Sequence, residues 1–106
     1  MTGAQRWLRK HLEDAPPELL ETMAAALPEE DGPVPDALAA AAMALYGSVL
    51  NGGGGREDAL PLLAADALLT HAVEAQAAAD PAGLESFVER WGPSGRLANL
   101  VHQVES

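Results

Sequence analysis

Residues 35–50 read PDALAAAAMALYGSVL, and residues 58–79 read DALPLLAADALLTHAVEAQAAA after the glycine-rich stretch 51–55. Both segments are rich in Ala and Leu, which favour helices, and neither shows the alternation or the β-branched content of a strand. Glycine reaches the left-handed backbone conformation that ends a helix, so residues 51–55 predict a tight turn. The two segments therefore predict a central antiparallel helix pair, 35–50 and 58–79, in an all-α fold.

Four shorter segments predict helices that cover this pair. They run from about residue 3 to 13, from 15 to 27, from 81 to 91 and from 94 onward. Thr2 and Gln5 have the spacing of a capping box. Asp14, Asp58 and Asp80 are the predicted N-caps of the helices that follow them, each with a proline near the helix start. A chain of 106 residues is the size of one domain. We therefore expect a single compact array of five to six helices over residues 1–106.

The helical period also predicts which side chains form the core. In the segment 58–79 it leaves Asp66 and Glu74 on a polar flank and aligns five residues toward the core: Leu62, Ala65, Leu69, Ala72 and Val73. The predicted buried set over the whole chain is Leu45, Tyr46, Val49, Leu69, Val73, Phe87, Val88, Leu97 and Val101.

The segment 35–50 carries no charge after Asp36, and a helix that is apolar all round is a buried one. One of its sides holds small residues, among which Ala40, Ala44 and Gly47 recur at nearly one-turn spacing. A domain of this size has little core with which to cover both sides of one helix. We therefore predict a homodimer with Ala40, Ala44 and Gly47 in its interface; in the alternative, another helix of the same chain covers them.

The net charge of −10 limits the kinds of partner. Binding to nucleic acid or to an anionic membrane requires clustered Lys and Arg, so neither is expected. The stretch between His11 and Gly55 lacks Lys and Arg altogether but contains Glu13, Asp14, Glu18, Glu21, Glu29, Glu30, Asp31 and Asp36. Solubility explains this stretch. The alternative is an acidic face that docks a basic partner, as an inhibitor or nucleic-acid-mimicking decoy of a DNA- or RNA-handling protein would.

The cysteine content, the apolar runs and the N-terminal residues predict the cellular compartment of the protein. Cys is absent, which excludes disulfides and thiolate metal sites, and no apolar run reaches the ~18 residues of a membrane span. Acidic residues follow the basic N-terminus where a signal peptide would place its apolar core. We expect a cytoplasmic protein. The absence of Ile and the single Lys indicate a GC-rich, bacterial coding sequence.

His71 and Glu74 form the strongest candidate metal pair, because residues at i and i+3 of a helix point the same way. Zn, Fe or Mn sites need three or four ligands, and His11 and His102 would have to converge on this pair. We therefore predict no metal and no cofactor. A small metal- or ligand-binding helical protein remains an alternative.

Catalytic motifs are missing as well. The glycines at 52–55 are not followed by Lys-Ser or Lys-Thr, residues 29–32 lack the alternating ligands of a calcium loop, and no Ser lies in a nucleophile elbow. The sequence thus predicts no catalytic residues. The function that it favours is that of a non-enzymatic interaction protein, such as an adaptor, assembly factor or regulatory subunit, that binds a protein partner.

Overall fold

The computed structural model describes residues 1–52, 55–92 and 95, and every regular element within them is helical. This part of the chain contains five α-helices: α1 (Gly3–His11), α2 (Pro17–Ala26), α3 (Val34–Leu50), α4 (Ala59–Ala79) and α5 (Leu84–Trp91). Short 3-10 turns at Arg56–Asp58 and Pro81–Gly83 precede α4 and α5. The all-α prediction is confirmed, and the central pair begins within one residue of its predicted starts. The predicted sixth helix lies outside the described residues, apart from Gly95.

α3 and α4 form an antiparallel hairpin and share the most extensive contact between any two of these helices. Tyr46, near the end of α3, donates a hydrogen bond to Asp66 near the start of α4. At the other end, Val34 and Pro35 of α3 line one pocket together with Ala78 of α4. We call the end joined by residues 51–58 the hairpin tip and the opposite end the hairpin base.

Alanine lines the contact between these two helices. The residues of α3 and α4 with no exposed surface are Leu38, Ala39, Ala41, Ala42, Ala64, Ala65, Leu68 and Ala72. The distance between packed helices depends on the side chains at the contact, so alanine on both sides lets the two backbones approach closely. Leu38 and Leu68 are the two large side chains that are fully buried in this layer.

The predicted inner stripe of α4 is confirmed at Ala65 and Ala72, which are fully buried, but it was wrong for its large side chains. Leu68 is fully buried, whereas Leu69 and Val73 are half-buried and Leu62 is 42% exposed. The buried face of α4 carries Ala64, Ala65, Leu68, Ala72 and Ala75, and Leu62, Leu69 and Val73 lie outside it.

Other members of the predicted core had mixed outcomes. Phe87 is buried, as predicted, but Val88 is 42% exposed. Leu45, Tyr46 and Val49 are half-buried, because the alanines of α3 occupy the contact with α4 that these larger residues were expected to fill. Leu97 and Val101 lie outside the described residues.

The short helices cap and cover the hairpin. The predicted capping box of α1 is present: the Gln5 backbone N–H donates to Thr2 Oγ1 at 3.2 Å, and the Thr2 N–H donates to Gln5 Oε1 at 3.0 Å. The prediction of Asp14 as the cap of α2 was wrong, because Pro16 and Pro17 begin that helix without a side-chain cap. Leu8, Met23 and Phe87 are the fully buried anchors of α1, α2 and α5.

The observed rotation of α4 predicts unequal effects for two neighbouring leucines. Leu68→Ala should lower the free energy of unfolding by about 2–5 kcal/mol, because it leaves a cavity in the alanine-lined layer. Leu69→Ala removes the same atoms from a half-buried site and should cost clearly less. Urea denaturation of both variants measures the difference. An equal or larger loss for Leu69→Ala would show that α4 is turned the other way.

Candidate functional site

Two carboxylates of the acidic stretch are used to hold the fold. Asp36 Oδ1 accepts hydrogen bonds from Arg90 Nη2 at 2.8 Å and from Trp91 Nε1 at 2.9 Å, which ties the end of α5 to the start of α3. Asp31 Oδ1 accepts the Gly3 backbone N–H at 3.0 Å and so satisfies a free amide at the start of α1. These contacts weaken the interpretation of the stretch as one continuous docking face.

The predicted interface residues lie on the side of α3 that faces away from α4. Ala44 is exposed, and Ala40 and Gly47 are half-buried. Ala41, the residue after Ala40, is fully buried. Ala40 also lines a shallow pocket with Trp91, so α5 covers the beginning of this small-residue face. The rest of the face is open in the described part of the chain.

A second apolar surface lies at the hairpin tip. Leu50, Leu62 and Leu63 are 40%, 42% and 56% exposed, and we call them the hairpin-tip patch. Leu50 lies one turn beyond Tyr46, and Leu62 lies one turn before Asp66. Since Tyr46 and Asp66 are in contact across the two helices, Leu50 and Leu62 share that side of the hairpin. Sequence reasoning missed this patch because it assigned Leu62 to the core.

Tyr46 and Asp66 form the polar border of the patch. The Tyr46 hydroxyl donates a hydrogen bond to the Asp66 carboxylate. Burial raises the pKa of Tyr46 above its ordinary value of 10.0, and the hydrogen bond and the negative charge of Asp66 raise it further. Each of these effects favours the neutral phenol, which keeps the bond intact at neutral pH.

A pocket of about 500 Å³ opens at the hairpin base. α1 contributes Trp7 and His11, α3 contributes Val34 and Pro35, and α4 contributes Glu74 and three alanines. The His11 ring stacks on Trp7 with 4.1 Å between centroids and 15° between planes. The His71 ring meets Trp7 edge-on, with 5.9 Å between centroids. Two of the three histidines of the chain therefore contact the same tryptophan, one by stacking and the other edge-on.

Hydrogen bonds fix both imidazoles. The Trp7 carbonyl and the Glu74 carboxylate can only accept, so His11 Nδ1–H donates to the former at 3.0 Å and His71 Nδ1–H to the latter at 3.2 Å. In the neutral rings Nε2 is then an acceptor. The i, i+4 spacing of Trp7 and His11 signals their contact, but the approach of His71 depends on how α1 packs and has no signal in the sequence.

In the described residues, no three His, Cys, Asp or Glu side chains converge on one point. The candidate metal pair therefore has no further ligand there. Glu74 is instead hydrogen-bonded to His71. His102, the third histidine of the metal hypothesis, lies outside these residues.

Comparison with protein-family models, with curated proteins and with solved structures yields no match. In the part of the chain that the structure describes, no helix combines the length and apolar character that crossing a membrane requires.

Ionisation of Tyr46 can be measured directly because it is the only tyrosine of the chain. Spectrophotometric titration should give a pKa above 10.0, and Asp66→Asn should lower it toward that value by removing the charge. The folded state holds the proton more tightly than the unfolded state, so this contribution to stability is complete below about pH 10 and is lost as the pH rises further. Tyr46→Phe should abolish that alkaline loss. An unshifted tyrosine in the folded wild-type protein would contradict the contact.

We also predict that the protein binds no stoichiometric Zn, Fe or Mn. Elemental analysis after purification without chelator should find none in the wild-type chain or in His71→Ala, because His71 Nδ1 is used in its hydrogen bond to Glu74 and its ring packs against Trp7. A metal-to-protein ratio near one that disappears in His71→Ala would contradict this prediction.

Proposed function

We propose that this chain is a non-enzymatic, cytoplasmic interaction protein that acts through protein–protein contacts, as an adaptor, assembly factor or regulatory subunit does. The hairpin-tip patch is the observation that carries the proposal. Single exposed leucines are common on protein surfaces, whereas apolar side chains that adjoin one another mark interaction sites. Ala59, one turn before Leu62 and Leu63 on α4, is exposed as well and adds apolar surface beside them.

The partner that fits this patch is a second copy of the chain. The acidic residues of the 28–33 loop precede α3 at the hairpin base, and Asp80, Glu85 and Glu89 follow α4 at the same end. α3 is 17 residues long, which separates the base from the tip by roughly 25 Å. That separation exceeds the Debye length of about 8 Å at physiological ionic strength. Contact between two tips keeps these acidic residues apart while leucine packs on leucine, and it brings together the tip's own charged residues Arg56, Glu57 and Asp58 and the bordering Asp66.

The small-residue face of α3 offers a second surface for the same partner. Ala44 is exposed there, but alanine and glycine bury little apolar area, and Trp91 already lies beside Ala40. The three leucines of the hairpin-tip patch would gain more from burial than Ala40, Ala44 and Gly47 would. We therefore assign the homodimer contact to the hairpin-tip patch.

Sedimentation equilibrium over micromolar to submillimolar protein tests this proposal. The wild-type chain should dimerise with increasing concentration, and Leu63→Asp should remain monomeric because dimerisation would bury an unpaired carboxylate. Ala44→Glu places a carboxylate on the small-residue face, and Ala25→Glu places one on exposed α2. Both match the added charge of Leu63→Asp and should still dimerise.

Two results would overturn the proposal. A wild-type chain that stays monomeric at every concentration excludes the homodimer. A monomeric Ala44→Glu beside a dimeric Leu63→Asp moves the interface to the small-residue face. Circular dichroism of each variant confirms that it is folded, which is expected because all three sites are exposed.

A further inference from the structure

We infer that the pocket at the hairpin base binds an organic cation: an ammonium or guanidinium group carried on an apolar body. The pocket lies at the opposite end of the hairpin from the hairpin-tip patch, so this inference is independent of the proposed dimer. It rests on the lining of the pocket, on the position of Glu74 and on the tautomer of His11.

The lining is apolar and has the size of a ligand site. Val34 and Pro35 form one wall, and Ala75, Ala78 and Ala79 form another. Small-molecule sites have volumes of roughly 300–1,000 Å³ and combine apolar walls with a few polar groups that orient the ligand. The volume of about 500 Å³ lies within that range. Alanine on the α4 side is what leaves this space open, since longer side chains would fill it.

The polar groups select the charge of the occupant. Among the described residues that line the pocket there is no Lys or Arg, and Glu74 supplies the one carboxylate. His71 donates to Glu74 Oε2 at 3.2 Å and so fixes the carboxylate beside the pocket without a full opposing charge when the ring is neutral. An anionic ligand would meet repulsion here, whereas a cation would form a charge-assisted hydrogen bond with Glu74.

His11 adds to the same preference. The Nδ1–H of His11 is used in the bond to the Trp7 carbonyl, so Nε2 of the neutral ring accepts a hydrogen bond from a ligand. Trp7 lines the pocket as well, with its ring stacked on that of His11. A carboxylate and an imidazole acceptor thus lie at one apolar cavity. Ammonium and guanidinium groups are the donors that this combination accepts.

Three probes of equal size separate charge from apolar burial. 4-Phenylbutylamine is cationic, 4-phenylbutanol is neutral and 4-phenylbutyrate is anionic at neutral pH. Isothermal titration calorimetry with the wild-type chain should show saturable binding of the amine with a Kd on the order of 1 mM or below, weaker binding of the alcohol and none of the carboxylate. Emission of Trp7, measured in a Trp91→Phe background, should change with the same midpoint.

Two pairs of variants locate the site. Glu74→Gln keeps an acceptor for His71 but removes the charge, and should weaken amine binding about fivefold. Glu89→Gln makes the same change in charge on exposed α5 and should leave the Kd unchanged. Ala78→Phe fills the pocket and should abolish binding, whereas Ala25→Phe adds the same ring to exposed α2 and should have no effect.

A further arm distinguishes a free amine from a basic side chain of a partner protein. N-acetylarginine amide carries the guanidinium without the phenyl group, and binding of it that is as tight as binding of the amine would identify a protein side chain as the source. The inference is wrong if neither cation binds, if the three phenyl probes bind equally, or if Glu74→Gln and Glu89→Gln have the same Kd. Dimer formation, measured separately, should be unchanged in Glu74→Gln.

Discussion

The close contact of α3 with α4 through alanine is the constraint on which the rest of the structure depends. Eight of the fifteen buried apolar residues in the described part of the chain are alanines, and most of them lie in this contact. A methyl group on each side lets two backbones approach, but it leaves no room there for Leu62, Leu69 or Val73. Those larger side chains must lie on the flanks of the hairpin. The exposed leucines at the tip and the alanine wall of the pocket at the base are both consequences of the same contact.

Sequence reasoning located the helices because its signals there are local. Proline, glycine and the Thr2–Gln5 capping box act within one turn, so their effects can be read without knowing the tertiary structure. The rotation of α4 is different, because an alanine-rich helix has no strong apolar side and the neighbours decide which face is buried. Leu68 and Leu69 are equivalent by composition and differ only in what α3 presents to them. The prediction placed Leu62, Leu69 and Val73 beside Ala65 and Ala72 in the core. The structure instead buries Ala64, Leu68 and Ala75 beside those two alanines.

The candidate sites show the same difference between what local sequence signals predict and what tertiary packing decides. The polar flank of α4 that includes Asp66 and Glu74 is on the exposed side, as the helical period predicts. What that period cannot supply is the partner of each residue. Tyr46 meets Asp66 because the hairpin is antiparallel, and His71 meets Trp7 because α1 packs beside the hairpin base. The acidic stretch likewise looked uniform in the sequence, yet Asp31 and Asp36 are tied to Gly3 and Arg90 in the fold.

A core built largely of alanine also has an energetic consequence that favours association. Each buried methyl or methylene contributes about 0.8 kcal/mol, so an alanine contact gains much less from burial than one made of leucine. Leu50, Leu62 and Leu63 remain exposed to water, so a partner that buried them would add hydrophobic stabilisation. A partner that covers them contributes to stability through linkage, because it binds the folded hairpin and not the unfolded chain. The contact within the hairpin forms mainly through alanine, whereas three leucines at its tip stay exposed and available to a second surface.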